Sequence, residues 1–119
     1  EKNFLGLCRS VNDVANRTRT NSISPDELSG STFSITNFGI FGVSMGTPII
    51  NQPNVGILGV GAIKKQPVVI ESVNGDSIAI RSIMMLSLGF DHRLIDGAGG
   101  AKFLEKIRNN LEKIDLNTI

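Results

Sequence analysis

The amino-acid sequence predicts an α+β fold with a mainly antiparallel or mixed sheet. Apolar residues recur at helical spacing only near the two ends of the chain, and between them lie short apolar or alternating runs separated by glycine, proline and Asn-Gly. The order helix, several strands, helix, without internal repeat, low-complexity segment or linker, fits one α+β domain. At 119 residues the chain has the size of one domain or part of one, and its 40% apolar content can support a hydrophobic core.

From Asn3 to about Arg19, Phe4, Leu5, Leu7, Cys8, Val11, Val14 and Ala15 mark one side of an amphipathic helix, with Arg9, Asn12, Asp13 and Asn16 on the other. Ser24-Pro25-Asp26-Glu27 supplies a cap, a first-turn proline and an acid three residues after the cap, so Pro25 to Leu28 forms one short turn that Gly30 stops. Thr32 to Asn37 alternates apolar with hydroxylated residues, the pattern of a strand with one face to a core and Thr36 on the polar side. Gly39, Gly42, Gly46, Pro48 and Pro53 make the next stretch a loop. Val55 to Ile63 reads as a buried strand closely approached by another backbone, which Lys64-Lys65-Gln66-Pro67 is expected to end. Val68 to Ile70 and Ser77 to Ile80 flank Asn74-Gly75 as a hairpin. Met84 to Phe90 is a further strand, delivering Asp91-His92-Arg93 at its end. After Gly97, Phe103, Leu104, Ile107 and Leu111 share a helical face, with Lys102, Glu105, Lys106, Arg108 and Glu112 toward solvent.

With 12 basic and 11 acidic residues the formal charge is +1, which argues against nucleic acid or an anionic membrane as partner. The single cysteine, Cys8, forms neither an internal disulfide nor a metal cluster and is expected as buried packing in a reducing compartment. Apolar runs fall short of the roughly 18 residues of a spanning helix, and no basic-then-apolar leader opens the chain, so a soluble intracellular protein is expected. A start at Glu1, inside a helical pattern, points to a fragment or a processed product.

His92 is the one histidine, and imidazole, with a pKa of about 6.5 when free in water, is the side-chain type suited to proton transfer near neutrality. Asp91, Arg93 and Asp96 gather charge around it where a strand leaves the core, a common place for a site. A purely structural reading has Arg93 and Asp96 bracing the turn as an ion pair while Asp96 or a neighbour caps the last helix, and for Asp96 this is favoured even beside a catalytic His92. Gly42-Val43-Ser44-Met45-Gly46 matches a hydrolase nucleophile elbow, but glycines precede it and Pro48 follows, where the elbow needs a strand and a helix. Gly56, Gly59 and Gly61 have the reverse of dinucleotide-loop spacing. Lys64-Lys65 could attract phosphates, although paired lysines at a strand end are usually just solvated.

Four ordered blocks carry a resemblance that runs over nearly the whole chain: Ser31-Thr32-Phe33-Ser34-Ile35-Thr36-Asn37-Phe38-Gly39, Thr47-Pro48-Ile49-Ile50-Asn51-Gln52-Pro53, Ile57-Leu58-Gly59, and Asp91-His92-Arg93-Leu94-Ile95-Asp96-Gly97. The sequence resembles the acyltransferase component of 2-oxo acid dehydrogenase complexes. The resemblance implies a chloramphenicol acetyltransferase-like two-layer sandwich with a mixed, largely antiparallel sheet, of which this chain is the C-terminal half. It implies acyl transfer between the dihydrolipoamide thiol and coenzyme A, with His92 as general base, Thr36 as oxyanion donor, and Asp96 holding the site through an arginine elsewhere in the domain. It further implies homotrimers and a larger core, with the site in a channel between subunits that coenzyme A and dihydrolipoamide enter from opposite ends. The lipoyl group would ride on a separate domain, and the partners would be the 2-oxo acid decarboxylase and dihydrolipoamide dehydrogenase components. The location would be bacterial cytoplasm, or the mitochondrial matrix in a eukaryote. Catalytic domains of the family are about twice this length, so the arginine and part of the coenzyme A site would lie in the other half, and this chain alone is expected to be inactive.

The implied chemistry explains the residue types. A thiol of pKa about 8.5 is mostly protonated at neutral pH, so a neutral imidazole must take its proton as sulfur attacks the thioester. Two alternatives stand beside this reading: a chloramphenicol-type O-acetyltransferase, which carries a second histidine where this chain has Asp91, and an assembly module whose catalysis has degenerated. The acyl group stays open among acetyl, succinyl and branched-chain, with Thr36-Asn37 and Thr47 to Asn51 leaning toward the latter two.

Overall fold

The computed structural model describes residues 2–115 and 117, and the chain divides into two compact units. One comprises the N-terminal segment through Ser31 together with the chain from Arg108 on; the other is Thr32–Ile107.

In the first unit, α1 spans Phe4–Arg19. Asn3 caps it, its Oδ1 accepting the Gly6 amide at 2.9 Å, and Arg17 and Arg19 complement the helix dipole in the last turn. Pro25–Leu28 forms a 3₁₀ turn whose Glu27 carboxylate accepts the Ser24 amide at 3.0 Å and Arg17 Nη1 at 2.7 Å, so one acid closes the turn and ties it to the helix. No residue of α1 is buried, and Cys8 is exposed. The expectation of Cys8 as buried packing is thereby corrected: helical spacing decides which residues share a face, not what covers that face.

The Thr32–Ile107 unit is built on β1 (Ser34–Asn37), β2 (Gly56–Val60), β3 (Lys64–Ile70), β4 (Ser77–Ile83) and β5 (Leu86–Phe90), and α2 begins within it at Gly97. β1, β2 and β5 form a mixed sheet in that order, β1 parallel and β5 antiparallel to β2. β3 and β4 form a separate antiparallel ribbon. The class is therefore α+β with mixed sheets. Lys64 to Pro67, expected to end a strand, instead belong to β3, with Pro67 opposite Ile80. Both strands of a two-stranded ribbon are edges, where a proline's missing N–H costs no ladder bond on its free side. The hairpin forms around a turn in which the Gly75 amide donates to the Ser72 carbonyl at 3.1 Å, and only Gly75 of the Asn-Gly pair has positive φ, at 108°.

Register sorts the central sheet into two faces. Ser34, Thr36, Ile57, Gly59, Ser87 and Gly89 share one; Ile35, Leu58, Leu88 and Phe90 share the other. The loop between β1 and β2 lies over the first face: the Ala62 amide donates to the Val43 carbonyl at 2.9 Å, and a Cβ at Gly61 would run into the Ser44 carbonyl. On the second face α2 comes close, with Gly100 against the Phe90 ring and Phe103 edge-on to Phe33 at 5.9 Å. An apolar cavity of about 330 Å³ remains there, lined by Phe33, Val55, Leu88, Phe90, Ile95 and Phe103. The core is small: Ile57 and Leu58 are the buried hydrophobic residues among those described. Ile35, expected to face a core, is 71% exposed, whereas Ser34 and Thr36 are half-buried under the loop. The alternation was real, but the better-covered face is the hydroxylated one.

Candidate active site

His92 lies two residues past the end of β5. The Asp91 amide donates to the Val55 carbonyl at 2.9 Å, continuing the ladder by one bond, and the Asp91 carbonyl then accepts the amides of Leu94 and Ile95 at 3.0 Å each. The chain turns tightly here and leaves His92 exposed in a groove of about 610 Å³ whose walls include Ile50, Gln52, Asn54, Phe90 and Leu94. The imidazole lies against the Phe90 ring, centroids 5.6 Å apart.

Arg93 folds back over this turn onto Asp91. Its Nε and Nη2 meet the two carboxylate oxygens at 3.0 and 2.8 Å, and its backbone amide donates to Oδ1 at 3.0 Å. The guanidinium first and the amide second hold the Asp91 carboxyl down to about 2. The expected Arg93–Asp96 ion pair is therefore corrected to Arg93–Asp91. Asp96 caps α2 (Gly97–Glu112): its Oδ1 accepts the Gly99 amide at 2.6 Å and its carbonyl the Gly100 amide at 3.0 Å.

Thr36 stands at the far end of the same sheet. It is level with Gly59, which is level with Ser87. A Cβ at Gly59 would come within 2.5 Å of Ser87 Oγ and 2.8 Å of the Phe38 ring, so the missing side chain is what lets these two groups close on the strand at Gly59. The Phe90 rung, where His92's turn begins, lies three residues further along and two strands across, about 10 Å in each direction. Thr36 and His92 of one chain are thus kept apart.

Two polar residues of the site had no sequence signal. Asn54 is buried and its Nδ2 donates to Ser34 Oγ at 2.7 Å. Ser87 Oγ is buried with no hydrogen-bond partner among the described residues. Both sat in stretches that read as turn or apolar strand, and only the fold reveals their burial. No group of three or more His, Cys, Asp or Glu among the described residues is placed to hold a metal, and no helix among them is long and apolar enough to cross a membrane.

The family model of the 2-oxoacid dehydrogenases acyltransferase (catalytic domain) matches residues 1–119. The chain is 48% identical over 111 residues to the dihydrolipoyllysine-residue acetyltransferase component of the pyruvate dehydrogenase complex of Mycobacterium tuberculosis, covering 92% of this chain and 20% of that protein. It is 42% identical over 117 residues to the succinyltransferase component of the 2-oxoglutarate dehydrogenase complex of Rickettsia typhi, covering 96% and 28%. Among solved structures, a probable dihydrolipoamide acetyltransferase of Listeria monocytogenes superposes with a TM-score of 0.90 at 37% identity, over 100% of this chain and 49% of that one. Two further structures have TM-scores of 0.83. One, at 34% identity over 95% of this chain and 45% of its own, was solved for the roles of a serine, a histidine and an asparagine in catalysis by Azotobacter vinelandii dihydrolipoamide acetyltransferase. The other, at 33% identity over 95% and 45%, is the cubic core of a pyruvate dehydrogenase multienzyme complex. The chain spans about half the length of these solved structures and between 20% and 28% of the two relatives. It belongs to the family of 2-oxoacid dehydrogenase acyltransferases, matching their catalytic domain.

Proposed function

We propose that this protein moves an acyl group between the dihydrolipoamide thiol and coenzyme A within a 2-oxo acid dehydrogenase complex. The observation that carries the reading is the placement of His92: an exposed imidazole in a groove at the end of β5, within a chain that matches the family over its whole length. His92 takes the proton of the attacking thiol as its sulfur adds to the thioester carbonyl. The resulting oxyanion is held by the Thr36 hydroxyl, and collapse expels the second thiolate, which takes the proton back from the imidazolium. Because register separates Thr36 from His92 within one chain, the complete site joins His92 of one subunit to Thr36 of its neighbour in a homotrimer.

Asp96 fixes the turn after His92 through its cap on α2, and an arginine elsewhere in the domain completes its pairing. The layered arrangement, with α2 on one sheet face and the loop on the other, supports the C-terminal part of a chloramphenicol acetyltransferase-like sandwich. The histidine and the hydroxyl and Asx side chains of this reading are of the same kinds as the three studied in the Azotobacter enzyme. Trimers would build a larger core served by the decarboxylase and dihydrolipoamide dehydrogenase components, with the lipoyl group on its own domain, in bacterial cytoplasm or the mitochondrial matrix.

One observation favours a second reading, a core-building module without catalysis: the exposed side chains of Phe4, Leu5, Leu7 and Ile35 suit assembly whether or not His92 reacts. The test is acyl transfer by the full-length protein from acetyl-, succinyl- and branched-chain acyl-coenzyme A to dihydrolipoamide. One acyl group should lead in kcat/KM, and His92→Ala should lower kcat by about 10²–10⁴-fold. Undiminished turnover in that variant would end the catalytic reading and leave the assembly one.

A further inference from the structure

Among the described residues Asn54 is the buried polar side chain, at 6% exposure, and it lines the groove that holds His92. A carboxamide is kept out of water without loss only where its hydrogen bonds are made. Asn54 Nδ2 donates to Ser34 Oγ on β1 at 2.7 Å, and the Asn54 backbone amide donates to the Asn51 carbonyl at 2.9 Å, closing the turn that walls the groove. The very next carbonyl, of Val55, accepts the Asp91 amide. A single covalent step thus connects a side chain anchored on β1 to the backbone bond that fixes where His92 leaves β5.

We propose that Asn54 is a positioning residue for acyl transfer: anchored through Ser34, it fixes the Val55 carbonyl, and with it the Asp91 amide, so that the His92 imidazole is presented to the groove at one set height. This rests on His92 acting as the base. The same anchor lies two residues before Thr36 on β1, so one hydrogen bond steadies both half-sites that the chain contributes. A shift of the imidazole by about 1 Å would cost up to about a hundredfold in rate even though the mutated group never touches substrate.

The experiment compares Asn54→Ala, Ser34→Ala, the double variant, Asn54→Asp and His92→Ala in the full-length assembled protein, with steady-state acyl transfer over a range of pH. Asn54→Ala should lower kcat about tenfold or more with KM for acyl-coenzyme A nearly unchanged, and the double variant should be no worse than Asn54→Ala, because both remove the same bond. Asn54→Asp keeps the shape and lets the Ser34 hydroxyl donate instead, so it should restore much of the kcat lost in Asn54→Ala. Should Asn54→Ala fail to assemble, Ser34→Ala, which removes the same bond from the β1 side, carries the test. Loss of activity in His92→Ala with wild-type kcat in Asn54→Ala or in Ser34→Ala would overturn the proposal; retained activity in His92→Ala would instead remove the reading beneath it.

Discussion

The two ends of the three-stranded sheet are built from opposite materials. At the β5 exit the chain presents His92 in an open groove, steadied by a charged clasp and by backbone bonds. At the other end Thr36 is half-buried, on a rung that continues through Gly59 to Ser87, whose hydroxyl is buried without a hydrogen-bond partner among the described residues. A base must exchange protons with incoming thiols and gains from access. An oxyanion donor gains from rigidity and a low dielectric, where a fixed dipole is worth most. Each end is therefore suited to one half of the proposed reaction, and the distance between them is what leads that proposal to place the halves on different subunits.

The contrast can be broken at either end. Beyond the loss of the base itself in His92→Ala, the largest effect is expected at the closed one: Thr36→Ala should cost about 3 kcal/mol of barrier, roughly a hundredfold in kcat, with KM little changed, read by steady-state kinetics. A larger rise in KM than fall in kcat would make Thr36 a binding group rather than an oxyanion donor. Next, Gly59→Ala puts a methyl into the Ser87 hydroxyl and the Phe38 ring and should destabilise by about 1–3 kcal/mol, seen as a lower midpoint in denaturant. An unchanged midpoint would mean that end is not tightly packed. The smallest effect lies in the Asp91–Arg93 clasp of the open end. Asp91 titrates at about 2, below its ordinary 3.8, so the stability it supplies is complete above the ordinary value and is lost as pH falls toward 2. Asp91→Asn should melt slightly lower than the parent at neutral pH and converge with it over that acid range. The change is small because Arg93 is largely in water.

How far these features could be read from sequence follows from how local they are. α1, α2 and the hairpin turn rest on periodicity and turn residues within a few positions, and the structure places them close to where they were expected, although the hairpin strands run on to Lys64 and Ile83. His92 was legible because it is the one histidine and ends an apolar run. Arg93 has Asp91 two residues before it and Asp96 three after; spacing allows both, and only the tightness of the turn selects Asp91. Lys64 to Pro67 carry local signs of a strand end that the ladder with β4 overrides. Asn54 looked like one more turn residue because its partner Ser34 is twenty residues away. Cys8 and Ile35 were misplaced for another reason: apolar patterning shows that a surface wants cover, and the described residues of the unit each belongs to do not supply it.

The central claim, that His92 and Thr36 meet only between subunits, is tested most directly by mixing. Full-length His92→Ala and Thr36→Ala subunits, each weakly active alone, should be dissociated, mixed in equal amounts and reassembled. In a trimer with one site per interface, roughly a quarter of the sites then combine an intact His92 with an intact Thr36, so activity should rise to roughly a quarter of the parent's. Reassembled mixtures no more active than the two variants measured separately would place both residues in one chain and contradict the account.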